Sequence, residues 1–211
     1  FVTTYGQPLD DETCRIIAER TEGWAAGLQL VAASIAVSQP DEVAEFITAL
    51  SGATGPIYDF LAEEVLTRLS PGTQRVLMHA SLPERVEPEY VAVALEAGGT
   101  PVGRGDIESS LDRADALGLL GARSKDSSGR RMQALFREFL MVHLERDVPA
   151  STIRRMHLAI AEASERDDWL MAARHYAKAG AHDSAMRVIG SAAGEALGTG
   201  AWGAAVEVVN T

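Results

Sequence analysis

Apolar residues recur three or four positions apart through nearly every stretch of this chain, which is the spacing of amphipathic helices, and short Ser, Pro and Gly runs punctuate them. One place departs from the pattern. Leu119-Leu120-Gly121-Ala122-Arg123 and Arg130-Arg131-Met132-Gln133 flank the polar run Lys125-Asp126-Ser127-Ser128-Gly129 and read as two short strands around a turn. The expected fold is mainly α with one short β-hairpin.

Residues 1–55 read as a helical module. Asp10 or Asp11 starts a helix running through Arg20, with Cys14, Ile17 and Ala18 inward. Thr21 is the expected N-cap of the next helix, whose Trp24, Leu28, Val31 and Ile35 share one face as far as about Ser38. Gly23, Ala25, Ala26 and Gly27 leave Trp24 as the one large group among small ones. Two readings follow: tight helix packing around a core Trp, or the close approach of another backbone or a planar ligand. Pro40 breaks this helix, and Asp41 opens another carrying Val43, Phe46, Ile47 and Leu50. The loop Ser51–Pro56 is the expected module boundary.

Residues 56–147 give helices, then the hairpin, then a helix, which is winged-helix order. Tyr58, Leu61, Ala62, Val65 and Leu69 form a helical stripe; Ser70-Pro71 caps the next helix, with Val76, Leu77 and Ala80 inward. Pro88 opens a third helix with Val91, Ala94 and Leu95, closed by Gly98-Gly99. A fourth spans about Asp106 to Leu117, with Ile107, Leu111, Ala114 and Leu117 inward and Gly118 as its stop. Leu135, Phe136, Phe139, Leu140 and Val142 lie on the closing helix. A winged helix raises the question of DNA, but the helix that would read the groove carries Asp106, Glu108, Asp112 and Asp115 against Arg113. Those carboxylates would repel phosphate. The basic wing residues Arg123, Lys125, Arg130 and Arg131 are expected as a solvated hairpin or as ion-pair partners.

Residues 148–211 are Ala-rich and helical. Ile153, Met156, His157, Ile160 and Ala161 mark one helix, Trp169 to Ala179 a second with Gly180 as stop, and Ala185, Val188 and Ile189 a third. Trp169 and Trp202 lie 33 residues apart, each followed three positions later by Ala, which is near the tetratricopeptide period. The expectation is the first rungs of a TPR-like α-solenoid.

Composition narrows the function. The formal charge of −11 argues against a nucleic-acid binder, and no apolar run reaches the length of a membrane span. Cys14 is the single cysteine, so neither a disulfide framework nor a Cys-based metal site is expected; it reads as a small core residue, and the cytoplasm as the compartment. His79, His143, His157, His175 and His182 lack metal-ligand spacing; the first three are expected to be semi-buried, His175 and His182 solvent-facing. There is no Gly-x-x-x-x-Gly-Lys-Ser/Thr phosphate loop, and Gly98–Gly105 reads as a connector. Asp10-Asp11 and Asp167-Asp168 are helix starts, and no nucleophile elbow or Cys-His pair appears. No catalytic residue, metal site or cofactor of its own is expected, so the chain is not read as an enzyme.

Two segments carry a resemblance. Thr21-Glu22-Gly23-Trp24-Ala25 with Leu28-Gln29-Leu30, and Leu135-Phe136-Arg137-Glu138-Phe139-Leu140, resemble the MalT-like regulators, LuxR-type transcription activators of the signal-transducing NTPase class. The resemblance implies an interior piece of such a protein: a helical lid (1–55), a winged helix (56–147) and the start of a sensing solenoid (148–211). It implies ATP or ADP bound by the intact parent, with the parent's own NTPase domain as partner and a small-molecule inducer or a protein at the solenoid. It places Gly23, Trp24 and Ala25 beside the adenine, although the family's Pro is missing, and Gln133 where a His often faces the ADP phosphate. Gln133 cannot be cationic but donates through its amide. The absent initiator Met at Phe1 and the mid-helix pattern at Thr211 fit that expectation. The rival readings are a stand-alone helical scaffold for protein partners and a winged-helix DNA binder.

Overall fold

The computed structural model describes residues 11–21, 24–37, 65–121 and 129–192. The expectations for Gly23, the Asp41 helix, the Ser51–Pro56 boundary, Tyr58 and Leu61, the wing turn and Trp202 fall outside the described residues. Among those residues the chain is almost wholly helical: α1 (Asp11–Thr21), α2 (Ala25–Val37), α3 (Pro71–Ala80), α4 (Pro88–Ala97), α5 (Arg104–Ala116), α6 (Ala134–Asp147), α7 (Ala150–Ser164), α8 (Trp169–Lys178) and α9 (His182–Ser191). No described helix is long and apolar enough to cross a membrane.

The helix boundaries have local chemical causes. Ser70 Oγ accepts the Thr73 N–H at 3.1 Å, and Pro71 occupies the first turn of α3, where a missing N–H costs nothing. Asp168 Oδ1 accepts the Met171 N–H at 3.0 Å and so starts α8. Gly118 and Gly180 follow α5 and α8 in the left-handed region, at φ 69° and 77°.

Three helix-end expectations need correcting. Thr21 does not cap α2; it closes α1, where its hydroxyl donates to the Ile17 carbonyl at 2.7 Å, and its own carbonyl accepts the Trp24 N–H at 2.8 Å. The stripe through Val65 and Leu69 finishes as a 3-10 turn, Leu66–Arg68, because Leu69 is extended (ψ 147°). Gln74 Nε2 donates to the carbonyls of Leu66 (2.7 Å), which also accepts the Leu69 N–H, and of Leu69 (3.0 Å). Helix α5 starts at Arg104, within the expected connector, and ends at Ala116, so Leu117 leaves the helical period and points outward at 45% exposure.

The β element is minimal. Gly121 N–H donates to Arg131 O at 2.7 Å and Gln133 N–H to Leu119 O at 3.0 Å, so the two expected strands pair antiparallel around Leu120 and Met132. Val86 N–H donates to Arg130 O at 2.7 Å, which puts Val86 on the other edge of the 130–132 stretch. Neither pairing exceeds an isolated bridge among the described residues.

One core joins α1 and α2 to the winged helix. Ile17, Trp24, Val31 and Ile35 share it with Leu77, Leu95, Ile107, Leu111, Leu120, Phe136 and Leu140. A second cluster, Leu82, Ala94, Leu144, Met156 and Ile160, docks α7 onto α4 and α6. A third unites Ala161 with Ala172, Ala173, Tyr176, Val188 and Ile189, so α7, α8 and α9 stack in order. Gly98 allows the first approach: a Cβ there would lie 2.6 Å from Met156 Cε on α7.

Gly27 is the tightest point beneath Trp24. A Cβ at this position would lie 2.5 Å from Trp24 Cε3, and the indole is 8% exposed with little room to retreat. Gly27→Ala is expected to destabilise the fold by about 1–3 kcal/mol, as overpacking does. Urea unfolding would measure it; an unchanged midpoint would show that the ring can move aside.

Candidate functional site

The residues with the most constrained chemistry meet where residues 81–87 cross between the winged helix and α7–α8. At the end of α3, Ser81 and Leu82 are buried. Arg137 on α6 satisfies both carbonyls: Nε donates to Ser81 O at 2.8 Å and Nη2 to Leu82 O at 3.0 Å. Beyond Pro83, Glu84 and Arg85 reach the other way. Glu84 accepts from His175 Nε2 at 3.2 Å and from Lys178 Nζ at 3.4 Å, both on α8. Arg85 lies over the Tyr90 ring, donates to the Tyr90 hydroxyl at 2.9 Å, pairs with Glu87 at 2.6 Å and stands 3.6 Å from the Asp168 carboxylate that caps α8.

Behind Glu84 lies a histidine pair. His175 is fully buried and His157 nearly so, with their Nδ1 atoms 2.9 Å apart. This corrects the expectation of a solvent-facing His175; the ring packs between α7 and the 81–87 segment. Burial, with His175 and Lys178 nearby, pushes His157 down to about 3. Burial also lowers His175, despite the neighbouring carboxylate. Burial alone would raise Glu84, but the hydrogen bond from His175 and the positive charge of Lys178 hold it well below the usual carboxylate range. Glu84 is therefore the anion of the group. His79 is buried and lowered by burial, His143 stands edge-on to Phe139 at 4.5 Å and His182 is exposed.

The residues that the family resemblance marked lie elsewhere. Trp24 is in the main core, its indole beside Gly118, and Ala25 is exposed on the first turn of α2. Gln133 is the N-cap residue of α6 with no side-chain capping bond, its amide beside Gly121 and its N–H on Leu119 O. Both border the β-bridged region, Trp24 beside Gly118 and Gln133 beside Gly121. Cys14 is half-buried. No group of three or more His, Cys, Asp or Glu suited to a metal occurs among the described residues.

The surface that a DNA-reading winged helix would present is acidic and internally paired. Arg130, at the wing base, lies 3.5 Å from both Asp112 and Asp115 on α5, and Arg104 pairs with Glu108 at 2.9 Å. A groove of about 290 Å³ runs beside Arg130, with Val86, Leu111 and Leu120 in its wall and Glu87, Glu108 and Asp112 at its edge.

Residues 62–152 match the family model described as the MalT winged helix domain. Over 142 residues the chain is also 34% identical to serine/threonine-protein kinase PknK from two strains of Mycobacterium tuberculosis and from Mycobacterium bovis. These findings support a relationship to the MalT family. The PknK alignment takes in 67% of this chain and 12% of each kinase, so the chain spans a small part of those relatives' length. Within the matched residues the 81–87 segment links α3 to α4, and its side chains carry the polar part of the α7–α8 joint. Neither Glu84 nor Arg85 had a sequence signal: Ser81-Leu82-Pro83 reads as a helix stop, and the His157–His175 spacing matches no motif.

Arg137→Met would keep the side-chain length and leave the Ser81 and Leu82 carbonyls unpaired. The expected loss is about 2–4 kcal/mol in urea unfolding, with Arg137→Lys losing less because one bond can be remade. Equal losses for the two variants would show that packing, not the paired carbonyls, governs this position.

Proposed function

We propose that this chain is a regulatory, non-catalytic segment of a bacterial transcription regulator of the MalT-like, LuxR-type class, switched by ATP and ADP in the intact protein. The match of residues 62–152 to the MalT winged helix domain carries this reading. The winged helix would lie against the parent's NTPase domain, with Gly23, Trp24, Ala25 and Gln133 on the nucleotide side. The α7–α9 array would begin a TPR-like solenoid that receives a small-molecule inducer or a protein. The ion pairs of Arg130 with α5 favour a protein-facing role for the winged helix over direct DNA contact. A cytoplasmic location and the absence of a membrane partner go with this reading.

A second reading concerns the parent. The 34% identity to PknK favours a signalling kinase in which a segment like this regulates a catalytic domain elsewhere. This sequence contains no His-Arg-Asp or Asp-Phe-Gly kinase signature. The reading frame upstream separates the two: a Lys-Ser/Thr phosphate loop alone supports the activator, kinase signatures the alternative.

Calorimetric titration of the chain with ADP and with ATP is expected to give binding weaker than micromolar, because the phosphate loop is absent. Micromolar binding would mean that the segment forms its own nucleotide site and would overturn the regulatory reading. A gel shift at low salt is expected to show no retarded DNA, and a salt-sensitive shift would restore the DNA-binding alternative.

A further inference from the structure

We propose that the hollow between the starts of α3 and α5 binds a small phosphate monoester that carries hydroxyl groups, such as a sugar phosphate. The hollow encloses about 490 Å³, within the size range of small-molecule sites. It shares no lining residue with the groove beside Arg130. The buried residues of its lining are Val76 and Ser110.

Ser110 is the observation that calls for a ligand. Four Ser or Thr residues are buried among the described residues: Thr21, Ser81, Ser110 and Ser164. Three of them donate to a carbonyl three or four positions back: Thr21 to Ile17 at 2.7 Å, Ser81 to Met78 at 2.6 Å and Ser164 to Ile160 at 2.8 Å. Ser110 is 7% exposed, yet its hydroxyl has no hydrogen-bond partner among the described residues and lies in the wall of the hollow. A buried hydroxyl without a partner is costly, and a polar ligand in the hollow would supply one.

The other donors suit an oxyanion. Two helices present their positive ends to the same space, through Gly72 and Thr73 of α3 and Gly103 ahead of α5. Ser70 Oγ accepts the Thr73 N–H, but no side chain caps α5, so the Arg104 and Gly105 N–H groups have no acceptor among the described residues. Neither Gly72 nor Gly103 screens its backbone: a Cβ would meet only Ser70 Oγ at 3.8 Å and Asp106 Oδ2 at 3.6 Å, respectively. Arg75 lines the hollow from α3, exposed and without an ion-pair partner among the described residues. A guanidinium and open helix N–H groups together match a phosphoryl group.

Asp106 narrows the ligand further. Its carboxylate shares the hollow and would repel a bare phosphate ion. A hydroxyl of the ligand would donate to it, so an ester of a polyol satisfies both ends of the site. An extended polyanion is disfavoured, because α5 continues with Glu108, Asp112 and Asp115.

Titration of the ¹⁵N-labelled full chain, followed by amide shifts, tests the site. Glucose 6-phosphate and glycerol 3-phosphate are the probes, with inorganic phosphate and glucose as comparisons. The esters are expected to shift the Gly72, Gly103, Arg104 and Ser110 amides and to saturate below about 1 mM. Inorganic phosphate should bind about tenfold more weakly, and glucose should not saturate. Arg75→Met should weaken ester binding about tenfold, and Ser110→Ala about fivefold without lowering the urea midpoint. Asp106→Asn should tighten inorganic phosphate and close its gap to the esters. Failure of both esters to saturate, or an unchanged affinity in Arg75→Met, would overturn the site. So would a lower midpoint for Ser110→Ala, which would place the hydroxyl's partner within the fold. Inorganic phosphate binding as tightly as the esters would refute the assignment to a polyol phosphate.

Discussion

Helix α6 is buried along most of its length, and the other packing relations depend on where it lies. Leu135, Phe136, Phe139 and Leu140 enter the core shared by α1, α2 and the winged helix. One turn further on, Leu144 enters the cluster that receives α7. Phe136 and Phe139 are fully buried, with ring centroids 6.2 Å apart, and supply much of the apolar area removed from water. A rigid rod immersed in two clusters transmits a displacement from one to the other, since close-packed interiors do not deform gradually.

Arg137 adds polar specificity to that burial. An apolar helix alone would tolerate small rotations about its axis. The planar guanidinium fixes one rotation, because two carbonyls at successive residues must both be met. Those carbonyls belong to the segment that presents Glu84 and Arg85 to α8. The orientation of α6 thus sets the position of the acceptor for His175, and the tail reads the winged helix through a polar contact as well as an apolar one. Burying such a chain of groups is costly unless every atom is paired.

The fold was largely legible in the residues because its determinants are local. Ser70-Pro71, Asp168, Gly118 and Gly180 announce helix ends through caps and backbone conformation, and the spacing of Ile107, Leu111 and Ala114 announces an inward face. Leu117 and Thr21 were misread at the last turn of a helix, where periodicity stops applying and a hydroxyl can serve either end. The joint was not legible. His175 carries no mark of burial in its own sequence, since Ala172, Ala173 and Tyr176 around it fit a packed face and a surface face equally well. Its environment is set by Glu84, 91 residues away along the chain. Trp24 shows the opposite case, a sequence feature that admitted two readings and lies in the core beside Gly27 and Gly118.

The wing gives the same lesson about charge. Arg130 and Arg131 in isolation suggest a cationic edge, yet Arg130 lies between Asp112 and Asp115 and is 19% exposed. Surface pairs of this kind add little stability. Their effect is to cancel, at the wing base, the positive charge that a phosphate would need beside the helix that would have to enter a groove. A winged helix keeps its shape whatever its surface carries, and α5 carries Asp106, Glu108, Asp112 and Asp115 against Arg104 and Arg113, a net acidic face where a DNA reader needs cations.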